Sequence, residues 1–109
     1  MTDTLDIKIT RTQNPRLAQT DFSNLPFGHI FTDHMLVADY ADGEWKNFEI
    51  VPYGELGLSP AISSLHYGQA FFEGLKAYKH ASGKVSLFRP AKNAKRFNKS
   101  ADRLCMPKL

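Results

Sequence analysis

Asp42-Gly43 is the pair of residues that most constrains this chain. Both tolerate a positive φ, so "ADG" between "HMLVADY" and "EWKNFEIVP" specifies a tight turn, and the segments on either side must run back along each other as antiparallel strands. A second hairpin is predicted downstream, where "ASGK" separates "LKAYKH" from "VSLFRP". Near the start, "TLDIKIT" alternates Leu5, Ile7 and Ile9 with polar residues at the period of a half-buried strand. The polar stretch "RTQNPRLAQTDFSNLP", interrupted by Pro15 and Pro26, reads as a connector.

Helical signals fall between and after the hairpins. "YGELGLSP", from Tyr53 to Pro60, holds two glycines and a proline and suits an irregular loop. Ser63 or Ser64 is then expected to cap a short helix reaching Gln69 or Phe71, with Gly74 ending that turn and releasing the chain into "LKAYKH". Pro90 suits the first turn of a last helix, along which Ala94, Phe97, Ala101 and Leu104 form an apolar stripe. The order β, ββ, short α, ββ, α predicts an α+β fold of antiparallel hairpins forming a sheet with the C-terminal helix packed on it.

With 109 residues the chain has room for one compact domain. No apolar run is long enough to cross a bilayer, and Met1 to Thr12 has no secretory signal, so a cytoplasmic location is expected. The single cysteine, Cys105, excludes an internal disulfide or a cysteine zinc cluster and is expected to serve packing in a reducing compartment. The chain stops at Leu109, directly after a helix and Pro107, which suggests a piece of something longer.

The net charge of +3 does not by itself argue for nucleic acid, but Lys92, Arg96, Lys99 and Arg103 fall on one face of the last helix. That face is either a solvated surface or an anion site in which an arginine fork grips a phosphate, and spacing does not choose which arginine. A basic nucleic-acid-binding module is disfavoured because the aromatic residues cluster away from these charges. His29, His34, His66 and His80 lack metal-ligand spacing, His66 reads as a hydrogen-bonded structural residue, and no phosphate-loop glycine motif is present.

"HYGQAFFEGLKAY", His66 to Tyr78, is the unusual stretch. Glu73, in an otherwise apolar segment, must be exposed at a helix end or find a partner such as Lys76 or a backbone N–H. Gly74 would let main chain approach a ligand to which Tyr67 and Phe72 present their rings, a pocket wall.

Together "FGHIFTDHM", "SSLHYGQAFFEGLKAY" and "LFRPAKNAKRFNKSADRLCMP" closely resemble the N-terminal domain of the branched-chain amino acid aminotransferases, pyridoxal-phosphate enzymes of the class IV, D-amino-acid aminotransferase-like fold. The run H-Y-G-x-x-x-F-E-G-[LIM]-[KR]-[AC]-[YF], then L-F-R-P and an N-x-x-R helix, carries the resemblance. It covers nearly all of the chain from Phe27 onward, so residues 1–26 are an N-terminal strand and connector and 27–109 a partial small domain. D-amino acid aminotransferases and aminodeoxychorismate lyases share the fold, but "FTDHM" and "FEGLKAY" look more like the branched-chain group.

The resemblance implies specific roles. Arg96, in "NAKR", matches the arginine that holds the phosphate of pyridoxal 5'-phosphate; Phe27, Tyr67 and Phe72 match aromatic walls of the substrate pocket; Gly74 matches a backbone approach to substrate. Lys76 stands where relatives have lysine or arginine. The implied partners are leucine, isoleucine, valine and their 2-oxo acids, with 2-oxoglutarate and glutamate, in a homodimeric enzyme that needs neither nucleic acid nor membrane. No lysine here matches the one that forms the Schiff base, so this chain is expected to be one wall of an active site and inactive alone.

Overall fold

The computed structural model describes residues 4–109, which divide into two compact units, one running up to Gly57 and the other Leu58–Leu109. The division falls inside the glycine-rich loop expected between Tyr53 and Pro60.

The first unit is built on the hairpin that the Asp-Gly turn demands. Strand β1 is Lys8–Ile9, β2 is His34–Ala41 and β3 is Glu44–Pro52, in the order β1-β3-β2. Asp42 at φ 57° and Gly43 at φ 86° turn the chain between β2 and β3. Across that turn Tyr40 pairs with Trp45, and their rings meet edge to face at 5.3 Å. The register slips between Val37 and Asp39, where β3 inserts an extra residue; Asn47 takes φ 55° there and its amide donates to Asp39 Oδ2 at 2.9 Å. Asparagine, which tolerates the left-handed region, makes this bulge affordable.

The strand expected over residues 4–10 shrinks to β1, which pairs in parallel with β3 at Glu49 and Ile50. Lys8 Nζ reaches Glu49 Oε1 at 3.0 Å, so this edge is held by an exposed ion pair as well as by backbone. The connector is tied down by Asp33, whose carboxylate accepts the Arg16 backbone N–H at 3.0 Å and Arg16 Nε at 3.3 Å, bonds that lower its pKa. Beside it Phe31 stacks on Tyr53 with centroids 4.9 Å apart.

In the second unit α1 spans Ser63–Tyr67, β4 Ala77–Lys79, β5 Val85–Leu87 and α2 Pro90–Arg103, with β4 and β5 antiparallel. The α+β class and both hairpins are as the sequence predicts. Helix α1 is shorter than expected: Gly68, at φ 63°, ends it, not Gly74, and neither Ser63 nor Ser64 caps it, since the N-cap is Ile62. Helix α2 opens from Arg89 at φ 48° with Pro90 in its first turn. It closes in a Schellman arrangement, with Met106 N–H on the Ala101 carbonyl at 2.9 Å and Cys105 N–H on Asp102 at 3.3 Å. Cys105 takes the left-handed position usually given to glycine, at φ 52°. It is exposed, contrary to the packing role expected of it.

Among the described residues Ala101 alone is fully buried. Phe97 and Leu104 of the predicted stripe are half-buried, whereas Ala94 is exposed. The reason lies in what crosses α2: the irregular segment 69–74 runs along it in the opposite direction. Gln69 Nε2 donates to the Leu104 carbonyl at 2.8 Å, Phe71 packs on Phe97 with centroids 4.6 Å apart, and Glu73 meets Asn93 and Arg96. Ala94 lies off that line of contact.

Candidate functional site

Segment 69–74 alternates strictly. Gln69, Phe71 and Glu73 turn toward α2 and are half-buried, while Ala70, Phe72 and Gly74 are exposed. Successive side chains of extended backbone point to opposite sides, so Phe72 and Gly74 share a face that Glu73 does not. This resolves the oddity of a glutamate in an apolar run. Glu73 is not left at a helix end, and its partner is not Lys76, whose Nζ lies 5.3 Å from the Tyr78 ring centroid.

The partner is Arg96. Its Nε donates to Glu73 Oε2 at 2.7 Å and its Nη2 donates to Oε1, a planar fork on a planar carboxylate. The Glu73 side chain keeps 12% of its surface exposed and that of Arg96 68%. Asn93, one turn before Arg96, donates from Nδ2 to Glu73 Oε1 at 3.0 Å and to the Gly74 carbonyl at 2.8 Å. The Arg96 hydrogen bonds are the main cause that brings the Glu73 pKa from its ordinary 4.5 down to about 2, with Asn93, the arginine charge and the Gly74 N–H adding to it and desolvation opposing. The same pair raises the pKa of Arg96.

A guanidinium has five N–H donors, and Glu73 takes two of them. The remaining three have no hydrogen-bond partner among the described residues, and the Arg96 side chain as a whole is largely exposed. That donor set fits a phosphate monoester, which accepts two parallel N–H bonds from one arginine. The other members of the basic face, Lys92, Lys99 and Arg103, are exposed.

Tyr67, the last residue of α1, is 88% exposed and Phe72 is 89% exposed. Phe27, in the first unit, is fully exposed. At Gly74 an added Cβ would meet nothing within 4 Å and its φ is not positive, so neither crowding nor backbone conformation in this chain requires glycine there. Asn93 is the residue that sequence reading did not single out; its place three before Arg96 in the N-x-x-R pattern, hence on the same helix face, was the available signal. His66 is structural as expected, its Nε2 bonded to the Pro60 carbonyl. Among the described residues no group of three histidine, cysteine or acidic side chains could hold a metal ion, and no helix is long and apolar enough to cross a membrane.

No protein-family model matches the chain. Curated proteins do. It is 48% identical over 107 residues, 97% of its length, to a protein of Bacillus subtilis named branched-chain-amino-acid aminotransferase 2, of which it spans 29%. It is 58% identical over 90 residues, 82% of its length, to a probable branched-chain-amino-acid aminotransferase of Staphylococcus epidermidis, spanning 25% of that protein. With a branched-chain-amino-acid aminotransferase of Helicobacter pylori it shares 50% over 95 residues, 87% of its length and 28% of the relative's. The chain thus spans about a quarter of the length of the curated relatives it matches.

Proposed function

We propose, from a chain that belongs by sequence to the branched-chain-amino-acid aminotransferase family, that the complete protein moves the amino group of leucine, isoleucine or valine to 2-oxoglutarate with pyridoxal 5'-phosphate as cofactor. Residues 27–109 are in this reading part of the small domain, preceded by the strand and connector of residues 1–26. The cofactor, when bound, supplies an electron sink for the substrate's α-carbon. Arg96 holds the phosphate through the N–H groups that Glu73 does not take. Tyr67 and Phe72 wall an apolar pocket, and Gly74 leaves main chain open to the substrate; Phe27, in the first unit, is assigned to substrate binding by the family resemblance alone. Such a pocket separates branched aliphatic side chains only weakly, because they differ by single methyl or methylene contacts. The lysine that holds the cofactor covalently is supplied by the rest of the complete protein, which we further propose to be a cytoplasmic homodimer.

One observation carries this reading: the Asn93 amide joins the Glu73 carboxylate to the Gly74 carbonyl, so the phosphate-binding arginine and the substrate-facing glycine belong to a single hydrogen-bonded unit. The test compares pyridoxal 5'-phosphate with pyridoxal, which lacks the phosphate, in the complete gene product stripped of cofactor. Arg96→Ala is expected to abolish most of the preference for the phosphorylated form, measured by absorbance titration. A preference left intact would remove Arg96 from the phosphate.

A further inference from the structure

We infer that Glu73 is a positioning residue for phosphate binding: by holding Nε and Nη2 of Arg96 it fixes the plane of the guanidinium and leaves the end-on pair of N–H donors, one on each Nη, for an anion. The inference rests on the phosphate role proposed for Arg96 and assigns a function to a carboxylate that touches neither phosphate nor substrate in that reading.

Two effects of opposite sign decide what Glu73 does for an anion bound at Arg96. By charge alone it weakens binding, since a carboxylate beside the guanidinium repels a phosphate, though water at this exposed edge screens the repulsion. By geometry it strengthens binding, since a long arginine side chain held at Nε and Nη2 has already lost the rotamer freedom that anion binding would otherwise remove. The structure favours geometry. Glu73 is itself immobilised, almost covered at 12% exposure and tied to Asn93 from a second direction, so the clamp is anchored at both ends. Asn93 also holds the Gly74 carbonyl, which ties the clamp to the main chain of its own segment.

The experiment uses the complete gene product stripped of cofactor and reads the ratio of pyridoxal 5'-phosphate affinity to pyridoxal affinity, with far-ultraviolet circular dichroism as the check of folding. Glu73→Gln keeps the shape but can accept through one oxygen only. It is expected to lower the ratio by between about threefold and tenfold, the cost of ordering one long side chain, and to have no effect on the ratio in an Arg96→Ala background. A ratio unchanged or raised by Glu73→Gln, with Arg96→Ala still collapsing it, overturns the clamp and leaves the proposed function standing. A ratio unchanged by Arg96→Ala overturns both. If Glu73→Gln does not fold, Asn93→Ala serves instead: a fall of about twofold or more, from a loosened clamp, supports the inference, and an unchanged ratio overturns it.

Discussion

Arg96 and Glu73, 23 residues apart in sequence, meet as a fork on a carboxylate, with the arginine's Nε and Nη2 on the two oxygens. The bond fastens α2 to the segment between α1 and β4. The Arg96 side chain stays 68% exposed while that of Glu73 is nearly covered.

Fork geometry distinguishes arginine from lysine. Arg96→Lys keeps the charge but offers a single ammonium, which cannot hold both Glu73 oxygens and a phosphate in one plane. The expected result is a loss of pyridoxal 5'-phosphate affinity of about tenfold or more in the complete protein, on the scale of one charge-assisted hydrogen bond. Equal affinity in fluorescence titrations of the lysine variant would mean that charge alone is read.

The depressed carboxyl of Glu73 makes a pH prediction. Its folded-state pKa of about 2 lies below the ordinary value of 4.5, so the pair's contribution to stability is fully present above 4.5 and is lost as pH falls toward 2. The stability difference between the parent protein and Glu73→Gln should therefore hold steady at neutral pH and narrow below pH 4.5. Urea midpoints across a pH series measure it, and a difference that stays flat through the acid range would place the carboxylate outside this pair.

Cys105 offers a third test. It occupies a left-handed position at the end of α2, where an L side chain costs about 1 kcal/mol and glycine does not. Because its side chain is exposed, little packing is lost on its removal. Cys105→Gly is expected to stabilise the protein by about 1 kcal/mol, and Cys105→Val to destabilise it, as read from thermal or denaturant unfolding.

What could be read from sequence was what depends on neighbours. Asp42-Gly43 carries its own turn chemistry, and Pro90 its own φ, so the hairpin and the start of α2 stand where residue types place them. Two glycines, Gly68 and Gly74, were both able to end α1, and only the αL conformation at Gly68 separates them. The length of β1 depends on how far β3 accompanies it, a matter of pairing across 41 residues rather than of alternation in "TLDIKIT". For Glu73 the sequence presents a charge that must be exposed at a helix end or find a partner, Lys76 or a backbone N–H; the Gly74 N–H does contribute, but the main partner, Arg96, lies on a different element. The phosphate role proposed for Arg96 rests on resemblance, since the stripe of four basic residues is uniform by spacing.

Adjacent phenylalanines give the sharpest test of how segment 69–74 divides its labour. Phe71 faces α2 and packs on Phe97, whereas Phe72 faces away and is 89% exposed. Truncating Phe71 removes a half-buried ring and one aromatic pair, so Phe71→Ala should destabilise the complete protein by about 2 kcal/mol, below the loss expected of a fully buried phenylalanine. Phe72→Ala removes no contact of that kind within its unit. If Phe72 walls the substrate pocket as proposed, its truncation should change the relative kcat/KM for leucine, isoleucine and valine by several-fold, in keeping with apolar contacts of methylene size, while leaving the affinity for pyridoxal 5'-phosphate as it was. The two variants therefore separate fold from specificity at neighbouring positions. Should Phe72→Ala cost as much stability as Phe71→Ala and leave the substrate ranking untouched, the exposed face of this segment is a packing surface and the pocket lies elsewhere.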